Sequence, residues 1–317
     1  MTRVEQLRDV AALADIVGDA PWERHDWLAA TQALVPDMPR LQALRATDGG
    51  DSAWLLLGDD GEAWTHWYAL RAGPILSGSP RADLLTAIAR TLARRSSHVM
   101  LAPMDAERAA FTAAAFRAAG WWARDSEATA NWVAHVGDRD FAAHWAARPS
   151  RLRNTWRRKA RDAPFAIAIH DRFEADVWAA YESVYARSWK PNEGSPAFLR
   201  WMAETAGREG RLRLGIARDG DRPVAAQLWT IDGGVATIHK LAYDEADRAR
   251  SPGTILGHAM FAHVIDTDRP ALIDYGTGDE PYKAEWMDER RSLRRLSLFN
   301  PRTIGGLARA AKAALTR

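Results

Sequence analysis

The residues best placed to do chemistry lie in the run from Tyr243 to Leu256, Tyr-Asp-Glu-Ala-Asp-Arg-Ala-Arg-Ser-Pro-Gly-Thr-Ile-Leu, where a strand pattern gives way to a polar loop and then to a helix. Ser251 suits the N-cap and Pro252 the first helical position, so the N–H groups of Gly253, Thr254 and Ile255 point out of the helix end. Unpaired donors and the positive end of the helix dipole attract phosphate. Gly253 lets a ligand approach the backbone, and Arg248 or Arg250 adds a charge-assisted contact. An ordinary capped helix start has the same sequence, so the corner alone leaves both readings open.

Four other side chains have chemistry to offer. His239 sits in a strand with alternate neighbours Thr237 and Leu241, where an imidazole either accepts an amine proton or is a hydrogen-bonded core residue. Asp274 ends a strand, on the side where open α/β sheets bind ligands. It either binds an amine or caps the glycine turn that follows. Tyr282 and Lys283 open a short helix in which Tyr282 and Trp286, four apart, also fit a buried stripe with Lys283 solvated beside it. Metal chemistry has no support: there is no cysteine, His258 and His263 are five apart, and no H-E-x-x-H occurs. A Ser-His-Asp hydrolase fails for want of G-x-S-x-G after a strand.

These residues need a scaffold, and the periodicity supplies one. The first half reads as helices over 4–16 and 27–34, a hairpin of strands 53–57 and 64–70 around Gly58-Asp59-Asp60-Gly61, a loop over 73–80, a helix over 82–94, a strand over 98–102, a helix over 107–119 stopped by Gly120, and a strand over 132–136. The second half opens with a basic helix over 151–161, a strand over 165–170 and helices over 174–189 and 197–206. A three-strand meander follows over 212–218, 223–231 and 235–243, with a loop over 244–251 and a helix over 252–265. A strand over 271–275, a short helix over 281–287, a strand over 293–299 and a helix over 304–315 complete it. Hairpin, loop, helix, strand, helix, strand occurs twice, and Ser-Pro precedes the long helix each time, at Ser79-Pro80 and Ser251-Pro252. The reading is two copies of one α/β unit, with domains over 1–145 and 146–317.

Composition bounds the rest. A chain of 317 residues, 47% hydrophobic and 26% charged, has room for two cores. The absence of cysteine excludes a disulfide scaffold and fits a reducing compartment, so the expected location is the cytoplasm. Glu5, Asp9, Asp15 and Asp19 interrupt any signal-peptide core, and no run is long enough to span a membrane. A net charge of +2 argues against non-specific nucleic-acid binding, although basic residues gather over 151–161 and from Arg290 onward.

Set in this scaffold, the segment resembles the GNAT superfamily of acyltransferases. Their signature of Arg or Gln, two residues, Gly, one residue, then Gly or Ala is met at Arg250 and Gly253 and departs at Ile255. The branch similar to the CelD cellulose-biosynthesis proteins and the FemABX peptidyltransferases carries a further set, present here as Tyr243-Asp244-Glu245, Ser251-Pro252-Gly253, Asp274-Tyr275-Gly276-Thr277-Gly278 and Tyr282-Lys283. The resemblance is specific over 212–299 and implies a mixed α/β fold of two GNAT-like acyl-CoA N-acyltransferase domains in tandem. Since Pro80-Arg81 stands where the second copy has Pro252-Gly253, the first copy is expected to be degenerate and to shape an acceptor groove.

The resemblance further implies that acetyl-CoA or another acyl-CoA is the donor, without a metal, and that an amine of a small molecule, amino acid or saccharide precursor attacks the thioester directly. A backbone N–H late in strand 235–243 would serve the oxyanion, Tyr282 would serve the departing thiolate, and Lys283 would orient a carbonyl or phosphate. Arg248, Arg250, Ser251, Gly253, Thr254 and Ile255 would hold the donor. Two other readings keep the fold: an aminoacyl-tRNA donor held by the basic helix, as in the FemABX enzymes, and a non-catalytic protein assisting polysaccharide assembly.

Overall fold

The computed structural model describes residues 2–162 and 165–315. They form two compact units, residues 2–130 with 292–315, and Asn131–Arg291. The first unit contains β1 (Arg3–Leu7), α1 (His25–Leu34), β2 (Gln42–Asp48), β3 (Asp51–Leu57), β4 (Ile75–Ser77), α2 (Ala82–Leu92), β5 (His98–Met104), α3 (Ala106–Ala118) and the start of β6 (Trp122–His135). Strands β1 to β4 pair antiparallel in chain order. The central strand β3 feeds two cores by simple alternation: Ala53, Leu55 and Leu57 pack with Leu84, Leu85 and Ile88 of α2, while Trp54 and Leu56 face Val10, Leu13 and Leu28. That is why its sequence is apolar from Ala53 to Leu57 rather than alternating.

The second unit continues β6 into α4 (Phe141–Ala146), α5 (Ser150–Asp162), β7 (Ala166–His170), α6 (Ala175–Ala186), α7 (Pro196–Arg208), β8 (Leu212–Asp219), β9 (Arg222–Asp232), β10 (Val235–Tyr243), α8 (Pro252–His263), β11 (Leu272–Thr277) and α9 (Pro281–Trp286). Its strands lie in the order β6-β11-β10-β9-β8-β7, antiparallel except for the pair β10–β11. A parallel pair needs a crossover, and α8 provides it. Helices α6 and α8 both pack on β8 to β10, and every residue of β9 from Val224 to Thr230 is buried. Close approach of α8 depends on Gly215, where an added Cβ would lie 2.4 Å from Met260 Sδ. The chain then leaves through β12 (Glu289–Phe299), pairing Arg294–Phe299 with β5 in the first unit, and ends in α10 (Ile304–Leu315).

Several expected elements are corrected. No helix covers 4–16: residues 3–7 pair with β2, and Asp9 then caps a 3₁₀ turn over Val10–Leu13 by accepting from the Ala11 N–H at 3.0 Å. No strand covers 64–70, because the His66 carbonyl and ring take the N–H groups of Ala69 and Tyr68 and fold the segment on itself. The helix begun near Glu174 stops at Ala186 and leaves 187–195 as a loop. The helix begun at Pro252 stops at His263 and runs into a π-turn over Val264–Asp268. Against the expected division at 145, the compact units meet along the chain at 130 and again at 291, since 292–315 return to the first.

Candidate active site

The site begins with two strands that part. β10 and β11 pair only from Val235 to Thr237 and from Leu272 to Asp274, although β10 runs on to Tyr243 and β11 to Thr277. Two irregularities accompany the parting, a bulge in β10 between Ile238 and Lys240 and a register shift in β11 after Asp274. Beyond Thr237, the edge of β10 that would pair with β11 has backbone groups to offer a ligand.

At the end of β10 the chain turns into α8. Asp244 steadies the turn: Oδ1 accepts from the Ala246 N–H at 3.0 Å, and Oδ2 from Arg187 Nε at 2.7 Å and an Arg222 guanidinium nitrogen at 3.2 Å. Ser251 takes a left-handed conformation, φ 56° and ψ 48°, and its side chain does not cap the helix. Instead its carbonyl accepts the N–H groups of Thr254 at 3.1 Å and Ile255 at 3.2 Å. Pro252 has no N–H, so the outward donor of the first turn is that of Gly253, which meets no acceptor among the described residues. A Cβ on Gly253 would lie 3.1 Å from Tyr243 Cδ1, so the glycine also lets the strand end approach.

A cleft of about 450 Å³ opens between this corner and the parted strands. Leu241, Tyr243, Tyr275, Phe261 and Trp286 give it apolar walls, with Arg248, Ser251, Gly253 and Thr254 at one end and Tyr282 and Glu285 among its polar groups. Trp189 closes on Tyr243, ring centres 4.4 Å apart. Tyr282 is 36% exposed and meets the Tyr275 ring edge-on at 5.8 Å. Burial, helped by Glu280, holds the Tyr282 phenol well above its usual pKa; burial likewise holds Tyr275 well above it and raises Tyr243. All three phenols are therefore neutral donors near neutral pH.

The structure brings Arg248, Ser251, Gly253, Thr254 and Tyr282 to one cleft and sends the remaining expected residues elsewhere. Arg250 is held by Asp219 at 2.5 Å and Asp247 at 3.1 Å, over the Phe165 ring. Ile255 packs into the core with Leu256 and Met260. Asp274 accepts from Asn131 Nδ2 at 2.6 Å and from the Gly276 N–H at 2.7 Å, which fixes the glycine turn. Lys283, only 4% exposed, donates to the Thr277 carbonyl at 2.6 Å and pairs with Glu280 at 2.9 Å.

Of the two readings open for His239, the structure selects the hydrogen-bonded core residue. Counting by twos from Leu241 puts it on the cleft face, but the bulge shifts the phase and places its ring against Thr230 Oγ1 at 2.8 Å. Burial, then the nearby Lys240 and Arg211, push its pKa down to about 3. Tyr275, Gln227 and Glu285, which sequence reasoning did not single out, also line the cleft. Only Tyr275 had a signal, its place between Asp274 and Gly276.

No group of three or more His, Asp or Glu side chains among the described residues could hold a metal ion, and no helix among them is long and apolar enough to cross a membrane. No curated protein matches the sequence. Among solved structures the chain is similar to FemX, with 8% identity and a TM-score of 0.59 over 93% of this chain and 98% of that one. It is similar to the C-terminal domain of a putative lysylphosphatidylglycerol synthetase from Agrobacterium fabrum, at 13% identity and a TM-score of 0.55 over 83% and 85%. A tandem GNAT protein from the clavulanic acid biosynthesis pathway shares 14% identity, with a TM-score of 0.50 over 93% and 98%. Residues 148–284 match the family model of the acetyltransferase (GNAT) domain. The second unit thus carries a GNAT-fold domain, within a mixed α/β chain whose fold is similar along its length to that of a tandem GNAT protein.

Proposed function

We propose that the protein is an acyl-CoA-dependent N-acyltransferase with one donor site per chain, in the second unit. The observation that carries this reading is the open cleft running from the Gly253 N–H to the gap between β10 and β11. The diphosphate of the donor lies at the Gly253 and Thr254 corner, with Arg248 at the rim, and the thioester reaches the parted strands. A backbone N–H of β10 beyond Thr237 then faces the oxygen on which negative charge develops.

In the reaction the amine nitrogen bonds to the thioester carbon, the C–S bond breaks, and the nitrogen loses a proton as the thiolate gains one. A phenol pKa raised above 10 exceeds that of a thiol by more than about 1.5 units, so wholesale transfer from Tyr282 is uphill. Tyr282 acts as a neutral hydrogen-bond donor to the forming thiolate, and the proton comes from the ammonium centre created when the neutral amine adds to the thioester carbon. Tyr282→Phe should lower kcat about 10- to 100-fold and leave the KM for acetyl-CoA within about twofold. An unchanged kcat would remove Tyr282 from the mechanism.

Isothermal titration with acetyl-CoA and free CoA tests the donor itself, with a micromolar Kd expected. A second reading, an aminoacyl-tRNA donor, is favoured by α5, which exposes Arg151, Arg157, Arg158 and Arg161 and packs against α8. Binding of tRNA that weakens steeply with salt, in a protein indifferent to CoA, would select that donor.

A further inference from the structure

The second unit has another cleft, of about 350 Å³, formed by α6, the loop over 187–195 and the start of α7. Trp178, Tyr181, Tyr185 and Leu199 give it a largely aromatic wall, and Glu182, Lys190 and Glu193 are its charged groups. Strand β10 separates it from the donor cleft. Leu241 and Tyr243 face the donor, whereas Lys240 projects to the opposite face, with Nζ 2.6 Å from Glu193 Oε2 and 5.8 Å from the centre of the Tyr185 ring. Trp189 and Lys190 repeat this division, since Trp189 lines the first cleft and Lys190 the second. Past Thr237 no ladder joins β10 to β11, so a thioester lying in that gap is open to attack from this side.

The charges are unevenly matched. Lys240, Lys283, Glu193 and Glu280 all lie within electrostatic reach of Lys190. Glu193 pairs with Lys240 and Glu280 with Lys283. Glu182 accepts from Trp178 Nε1 at 2.9 Å. Among the described residues no carboxylate comes within ion-pairing distance of Lys190, whose ammonium lies 5.5 Å from the centre of the Trp189 ring. A partly desolvated cation beside an aromatic wall is stabilised by an anion brought in with a ligand. Burial, then Lys240, push the Lys190 pKa down, and such an anion would reverse that strain.

We infer that this second cleft receives the acyl acceptor, and that the acceptor is an amine carrying its own carboxylate or phosphate, which Lys190 holds while the aromatic wall packs against its body. The inference rests on the proposed acyl transfer and names the substrate class for it. The acid can belong to an amino acid or to a phosphorylated amino sugar; the two share one recognition chemistry.

The test is CoA release at saturating acetyl-CoA with L-phenylalanine against L-phenylalaninamide, and glucosamine 6-phosphate against glucosamine. In at least one pair the acidic amine should have a kcat/KM at least about 10-fold higher, and that pair identifies the source of the acid. Lys190→Met should cost the acidic amine about 10- to 100-fold, mainly in KM, and the neutral one less than about threefold, while Lys190→Arg keeps most of the preference. Thermal melts of both variants separate misfolding from lost recognition. Neutral amines used as well as acidic ones, an equal loss on both in Lys190→Met, or no turnover of any acidic amine by protein that binds acetyl-CoA would overturn the inference. Failure to bind acetyl-CoA at all would overturn instead the donor reading beneath it.

Discussion

The two units start their long helices with the same device and finish it in opposite ways. In the first, Ser79-Pro80-Arg81 leads into α2; in the second, Ser251-Pro252-Gly253 leads into α8. At the first corner the protein supplies its own anion: Asp51 Oδ1 accepts from the Ser79 N–H at 2.9 Å, and Arg81 is clamped by Asp83 at 2.5 Å, Asp48 at 3.0 Å and Asp51 at 3.6 Å. At the second, the Gly253 N–H has no such partner and a cleft of about 450 Å³ lies in front of it. On the proposed reading, one helix start is left open to a ligand while the other is occupied by the protein's own carboxylates, a difference made by a few side chains.

The largest expected effect comes from making the second corner like the first. Gly253→Arg puts a Cβ within 3.1 Å of Tyr243 and a long side chain where the diphosphate is proposed to lie. Acetyl-CoA affinity should fall at least about 100-fold by titration calorimetry, with the far-ultraviolet circular dichroism spectrum unchanged. Binding within fivefold of the parent would mean that the corner is not the donor site and that the contrast between the units has no functional meaning.

How much of this was legible in the sequence follows from the range of the forces involved. Helix α8, the meander β8 to β10 and the corner between them were readable because capping residues, turn glycines and alternation act over a few neighbours. The strand at Arg3–Leu7 was not, since only its pairing with Gln42–Asp48, some 40 residues on, makes it a strand. The choice between the two readings of His239 was not legible, because the single-residue bulge that turns it toward Thr230 is silent in an apolar pattern. Lys283 and Arg250 were read toward a ligand, but whether a cation meets a ligand or the protein's own oxygens depends on Thr277 and Asp219, which no local rule connects to them, as well as on Glu280, three residues before Lys283. The first unit's sealed corner was half legible: Arg81 stood out in the sequence, its three aspartates did not.

The units also differ in how they bury histidine, with a middling effect on stability. His66 in the first unit is bonded at both ring nitrogens, Nε2 with Thr31 Oγ1 at 2.9 Å and Nδ1 with the Tyr68 N–H at 3.3 Å. In the second, neither ring nitrogen of His144 has a hydrogen-bond partner among the described residues; the ring lies between Phe261 and Phe141. Burial pushes both pKa values down to about 4 from 6.5. The folded state thus favours the neutral ring. Its contribution is complete above pH 6.5 and is lost as pH falls toward 4, because the unfolded chain takes up the proton first. His66→Phe should cost about 1–3 kcal/mol at pH 7.5, since Tyr68 N–H and Thr31 lose a partner. His144→Phe should leave Tm at pH 7.5 unchanged or higher and flatten its fall between pH 7 and pH 5. Equal losses in the two variants would show that His144 has a partner after all.

The smallest effect separates charge from geometry at the donor corner. Arg248 stands at the rim with its side chain 74% exposed and Glu245 4.0 Å away, so its help to a diphosphate is that of a solvated charge. Arg248→Ala should weaken acetyl-CoA binding about two- to fivefold at low salt, and the difference should vanish near roughly 1 M salt, where screening reaches about 3 Å. The first unit also has an arginine at its corner, but its guanidinium is held by Asp48 and Asp83, so an arginine at a helix start is not by itself a charge offered to a ligand. If Arg248→Ala proved as damaging as Gly253→Arg, the diphosphate would be held by the arginine rather than by the helix end, and the two corners would differ by charge placement instead of by backbone access.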